Sequence, residues 1–205
     1  IALVGGALNA EREDLLLNME LAGVLHRGAF AGVWRRGETG GMCLGSIGAF
    51  LVLESRAHAE ARGAKAYAKI GAIACARQAG PRAMAELGMF EALNWQGRET
   101  IPVLSGASGV GVAATGETAF LRSLTAATRV RGYGSLLGHG IEAHAMTGAA
   151  IGAIALSRGE LYLPFPDDTI ETEPATPIRQ VLLTCFGSWH GVGLARLEAV
   201  EGARA

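Results

Sequence analysis

Short apolar runs bounded by glycines alternate along this chain with stretches whose apolar residues recur every three or four positions. The first run, Ile1–Val4, ends in Gly5-Gly6 and predicts a buried strand meeting a tight turn. Asn9 is placed to cap a following helix, with Glu11, Glu13 and Asp14 near its amino end and apolar positions continuing toward His26. A loop is predicted over 28–41, a strand over 48–54, and a helix over 55–62 closed by Gly63. Strand-like runs follow at 70–76 and 101–104, with a helix between them that starts at Pro81 and reaches about Trp95. A helix is predicted over 116–128, a strand around 161–165, and two closing strands over 179–186 and 194–200. From Ile141 to Leu156 nearly every side chain is Ala, Gly, Ile or Met, with no polar stripe. That composition predicts a helix buried on all sides, stopped at Gly159. Strands alternating with helices, one of them buried all round, imply a layered α/β architecture.

Composition narrows the function classes. Half of the 205 residues are apolar, enough for a sizeable core, and the 30 glycines imply close backbone packing. A formal charge of −1 with no basic cluster argues against nucleic acid as a partner. No apolar run is long enough to span a membrane and no signal peptide is evident, so a cytoplasmic protein is expected. Cys43, Cys75 and Cys185 are far apart and lack CxxC spacing, which reads as buried thiols rather than a disulfide or zinc framework. Asp167, Asp168, Glu171 and Glu173 match no calcium loop and read as a solvated segment. The glycines of 105–111 lack the spacing of a nucleotide loop. Arg35 and Arg36 read as a solvated pair.

His139 stands at the end of a glycine-rich approach and just before the small-residue helix. Gly138-His139, that helix, Ala155-Leu156-Ser157-Arg158-Gly159 and Leu163-Pro164 resemble the carboxy-terminal half of β-ketoacyl-acyl-carrier-protein synthases, condensing enzymes of the thiolase superfamily. Three further segments fall in the same order: Ile1–Ala7, then 41–54 with His58–Gly63, and Val181–Gly187. The resemblance implies a thiolase-like layered αβαβα fold, with 1–63 ending an amino-terminal half and 64–205 forming the carboxy-terminal half. Such enzymes are about twice this length, so the chain is expected to be part of a longer protein.

The resemblance also implies a site. These enzymes combine a cysteine nucleophile with two histidines and a lysine, and His139 matches the second histidine. The first histidine falls at Gly106 and the lysine at Gly134, so neither group is present. At the closing Phe-Gly turn, Phe186, Gly187 and Ser188 border the acyl site, and Ser188 stands where a bulkier gate is usual. His190 is the expected substitute for the missing imidazole. His144 lies five residues past His139, an offset that on a continuous helix puts it on another face. The expectation is therefore a lone histidine in a widened pocket, in a condensing-type subunit of fatty-acid or lipid acyl-chain elongation with a degraded catalytic set and a chain-length or partner role. Two alternatives stand beside it: an active decarboxylating ketosynthase using His139 and a displaced second group, and a non-catalytic dimer half. The implied partners are acyl carrier protein, whose phosphopantetheine arm carries the substrate, and a second ketosynthase-type subunit in a homodimer or heterodimer. No bound cofactor and no metal site are expected.

Overall fold

The computed structural model describes residues 1–37, 40–77, 83–97, 100–166, 168, 170–173, 177–187 and 191–200, with backbone alone at 83 and 84. β1 (Ala2–Leu8) and β2 (Ile47–Leu53) form an antiparallel pair. The other sheet has five strands in the order β3-β7-β6-β4-β5. Here β3 is Lys69–Arg77, β4 Thr100–Ser105, β5 Ala127–Gly132, β6 Gln180–Phe186 and β7 Gly191–Glu198. β4 runs parallel to both β5 and β6, whereas β7 is antiparallel to β6 and β3.

The layers follow from where the apolar side chains go. One face of the large sheet carries α3 (Ala83–Ala92) and α4 (Gly111–Ser123), with Leu93, Phe120, Val103, Leu182 and Leu194 all buried between them. The other face carries α6 (His144–Arg158), which also packs on β2, so this helix lies between the two sheets, though it is not buried on all sides as expected: Ala145 and Ile154 are exposed. Its small residues let it lie there. A β-carbon on Gly148 would lie 2.7 Å from the Tyr133 hydroxyl, and one on Gly152 would lie 2.9 Å from Leu197. Glycine alone lets the helix come that close to its neighbours. Each large apolar side chain buried in these layers stabilises the fold by about 1.5–3 kcal/mol. Gly159 ends α6 at φ 77°. Among the described residues no helix is long and apolar enough to cross a membrane.

The pattern of strands and helices agrees with the sequence reading in most places, and the exceptions have local causes. Asn9 accepts a bond from the Glu11 backbone N–H, but α1 spans Glu13–Leu21 and stops before Gly23, which takes φ 66°. The helix expected over 55–62 is α2 (Arg56–Ala61), with Ser55 as its cap, accepting from the His58 N–H. The helix expected over 116–128 is α4, beginning five residues earlier, and Thr128 belongs to edge strand β5. Its β-branched Thr128 and Val130 suit a strand paired beside Ile101 and Val103.

No strand forms over 161–165. The Tyr162 carbonyl accepts from Arg131 Nε and the Phe165 N–H donates to Glu171, so groups a ladder would need are already satisfied. Glu171 is accordingly buried rather than solvated, and it also accepts from the Gly132 N–H. Asp167 lies outside the described residues. The cysteines are less buried than expected: Cys75 is exposed, and Cys43 and Cys185 are half-buried.

Candidate active site

Two close backbone approaches set His139 in place. The short helix α5 (Gly134–Leu137) ends at Gly138, which adopts φ 73° against Gly45. A β-carbon on Gly45 would lie 1.9 Å from the Leu137 carbonyl oxygen, so only glycine fits there. The His139 N–H then donates to the Cys43 carbonyl at 2.7 Å, and the Gly45 N–H to the His139 carbonyl at 3.2 Å.

Beyond His139 the backbone is not yet helical. Ile141 takes φ 46°, an uncommon conformation for a β-branched residue, and a 3-10 turn over Ile141–Ala143 precedes α6. The offset of a continuous helix therefore does not apply, and His144 is turned back onto His139. The two rings lie with centroids 4.0 Å apart and planes inclined by 34°. This corrects the expectation of a lone histidine in a widened pocket. No sequence signal marked it: helical counting assumed a continuous helix, and the positive φ of Ile141 breaks that continuity.

The tautomers follow from the backbone. The Ile141 N–H donates to His139 Nδ1 and the Gly140 N–H to His144 Nδ1, each at 3.2 Å. With Nδ1 accepting, each neutral ring carries its proton on Nε2. His144 Nε2 is buried and has no hydrogen-bond partner among the described residues. Burial, helped by Arg36 and opposed by Glu142, holds His139 down to about 4. Burial and the neighbouring His139 hold His144 down to about 2, with the Gly106 backbone opposing. Both imidazoles are neutral hydrogen-bond donors at physiological pH.

Buried, hydrogen-bonded groups wall the pair. The Tyr133 ring centroid lies 4.5 Å from that of His144, and its hydroxyl donates to the His144 carbonyl at 3.1 Å. Glu117 is fully buried and accepts from the hydroxyls of Ser105 and Thr184. Burial pushes its carboxyl up to about 7, against those two hydrogen bonds. The glutamate thus fixes the end of β4, from which Gly106 extends to bond the Thr184 carbonyl at 2.8 Å.

The other expected site residues are dispersed. A β-carbon on Gly106 would lie 2.8 Å from both the Thr184 carbonyl and the Tyr133 hydroxyl, and 3.0 Å from the Cys185 sulfur. The Phe186 side chain serves the core, its ring 5.7 Å from that of Phe120. The Gly187 N–H donates to the Gly191 carbonyl at 2.7 Å. Ser188 and His190 lie outside the described residues. Burial and Glu117 push the Cys185 thiol up to about 12, which makes it a poor nucleophile. Arg36, expected in solvent, is buried.

This layering is the thiolase-like ketosynthase fold. The chain is similar to the structure described as the ishigamide ketosynthase/chain length factor, with 21% identity over 97% of this chain and 54% of that one, at TM-score 0.76. It is similar to an oxazolomycin ketosynthase domain from Streptomyces albus JA3453, with 16% identity over 97% of this chain and 41% of that one, at TM-score 0.81. A third such structure is a type II polyketide-synthase acyl-carrier protein in complex with its ketosynthase bound to the hexaketide. There the identity is 18%, over 97% of this chain and 56% of that one, at TM-score 0.77. The chain therefore spans about half the length of the ketosynthase structures it matches. No family model and no curated protein matches it.

Proposed function

We propose that this chain is the carboxy-terminal part of a ketosynthase-type condensing subunit, in which His139 and His144 together stabilise the enolate formed on decarboxylation. The observation that carries this reading is the 4.0 Å approach of two neutral imidazoles whose Nδ1 atoms both accept from backbone N–H groups. In decarboxylative condensation a malonyl-type thioester loses carbon dioxide. The electron pair of the broken carbon–carbon bond moves onto the thioester oxygen. Two Nε2–H donors to that oxygen stabilise the charge; the enolate carbon then attacks an acyl thioester held by a nucleophile, and the acyl–sulfur bond breaks as the thiolate leaves. No residue of this chain is assigned that nucleophilic role.

The substrates on this reading are acyl and malonyl groups carried on the phosphopantetheine arm of acyl carrier protein, and the product is a β-ketoacyl chain. A fatty-acid or related lipid pathway in the cytoplasm, and a dimer with a like or paralogous subunit, complete the proposal. The intact protein should convert malonyl- and acyl-carrier protein to β-ketoacyl-carrier protein, and both His139→Ala and His144→Ala should abolish most of that turnover. Full turnover in His144→Ala would remove His144 from the site.

A second reading has its own support. Gly134 supplies no cation, and one similar structure contains a chain length factor. On that reading the subunit shapes the chain made by a partner. It would show no condensation alone, yet change the product length of a ketosynthase mixed with it.

A further inference from the structure

Arg36 ends the turn that begins with Val33, and only 7% of it is exposed. Its Nε donates to the Ala31 carbonyl at 3.0 Å, and its Nη1 to the Gly41 carbonyl at 3.0 Å and the Ser108 carbonyl at 3.3 Å. Among the described residues its buried Nη2 has no hydrogen-bond partner and Arg36 makes no ion pair. A guanidinium taken out of water without a counter-charge is costly, and three neutral carbonyls offset only part of that cost.

Two of the carbonyls it holds, those of Gly41 and Ser108, belong to segments that lead to groups around the imidazoles. Gly41 is two residues before Cys43, whose carbonyl accepts from the His139 N–H. Ser108 follows Ala107, whose carbonyl oxygen would lie 3.0 Å from a β-carbon on Gly134. Val33, from the same turn as Arg36, would lie 3.2 Å from that β-carbon. The turn thus crowds position 134, and it brings a cation of its own.

We infer that Arg36 is a positioning residue for the His139–His144 pair. Its buried guanidinium ties Ala31 and Gly41 to Ser108, and so carries a fixed positive charge into the segment that leads to the Cys43 carbonyl holding His139, where Gly134 supplies none. The inference rests on the reading of that pair as the enolate-stabilising group. A fixed cation there keeps His139 unprotonated and favours negative charge on a thioester oxygen. Arg36 does act on His139 in that direction, while Glu142 acts against it and His144 is the third titratable neighbour.

The test is the titration of His139 in the intact protein, followed by NMR of nitrogen-15-labelled imidazoles and assigned with His139→Gln. Arg36→Met should raise the His139 midpoint by about one pH unit, as loss of a nearby like charge does. Arg36→Lys keeps the charge but loses the carbonyl clamp. It should leave the midpoint unchanged while lowering the melting temperature. A His139 midpoint in a folded Arg36→Met protein equal to that of the wild type would overturn the inference. If Arg36→Met does not fold, Arg36→Gln decides, because it keeps a donor for the carbonyls and removes the charge, and an unshifted His139 midpoint there overturns the inference equally. The titration reads no turnover. A wild-type protein that proves inactive, yet shows the Arg36-dependent midpoint, would count against the catalytic reading and not against the electrostatic one.

Discussion

A β-carbon on Gly134 would lie 3.8 Å from Cε1 of His144, so residue 134 and the second imidazole border one space. The same β-carbon would lie 3.0 Å from the Ala107 carbonyl oxygen and 3.2 Å from Val33. The glycines at 106 and 134 are thus positions crowded by their surroundings, and His144 stands beside Gly134.

Returning the expected histidine to position 106 should therefore fail. Even Gly106→Ala pushes a methyl group against the Thr184 carbonyl, the Tyr133 hydroxyl and the Cys185 sulfur. Overpacking of that kind costs about 1–3 kcal/mol, and Gly106→His costs more. Urea denaturation should show both variants less stable than the wild type, in that order. A Gly106→His protein of undiminished stability and higher turnover would mean that the site can open in a way these contacts forbid.

His139 and His144 should act as a unit. In the intact protein, loss of either imidazole should lower the condensation rate on the order of a hundredfold to a thousandfold. The double variant should be little worse than either single one, because one donor cannot hold the enolate oxygen alone. Multiplicative effects of the two substitutions would instead show two independent roles.

Much of this architecture is legible in the sequence because its signals are compositional. The small-residue run of α6, the helix closed by Gly63, and the apolar strands near 48–54, 70–76, 101–104, 179–186 and 194–200 are each dictated locally, and the structure contains them. The site was legible only as far as His139. His144 was lost because its position depends on Ile141 at φ 46°, a conformation that no propensity predicts for isoleucine. Arg36 and Glu171 were misread for a related reason. Their partners are backbone groups distant in the chain, Ser108 for one and Gly132 for the other, and a charged residue in a loop reads as solvated until those partners are known.

The thiols should separate by reactivity. Cys75 is exposed, whereas the half-buried Cys185 lies beside Tyr133 and Gly106 with its thiol pushed up to about 12. The thiolate is the reactive form, so iodoacetamide at neutral pH should label Cys75 well before Cys185. Peptide mass spectrometry of a labelling time course reads the order directly. Equal rates would show that the Cys185 environment is more open or more polar than described.

Glu117 and the histidine pair should pull the pH dependence of stability in opposite directions. Glu117 rises from 4.5 to about 7 on folding, so the folded state keeps a proton that the unfolded state gives up. Its contribution is whole below pH 4.5 and is lost as pH rises through about 7. The imidazoles fall from 6.5 to about 4 for His139 and about 2 for His144. Their contribution is whole above pH 6.5 and is lost as pH falls toward those values, because the unfolded chain takes up protons that the folded one refuses. Between these limits the two slopes partly cancel. Glu117→Gln removes one of them and keeps a side chain able to accept from Ser105 and Thr184. The variant should gain stability relative to the wild type as pH rises from 5 to 8, on top of any constant offset, and urea denaturation at unit steps of pH measures this. Parallel curves for the two proteins would mean that the Glu117 carboxyl does not titrate in this range, and its burial among hydroxyls would then need a different account.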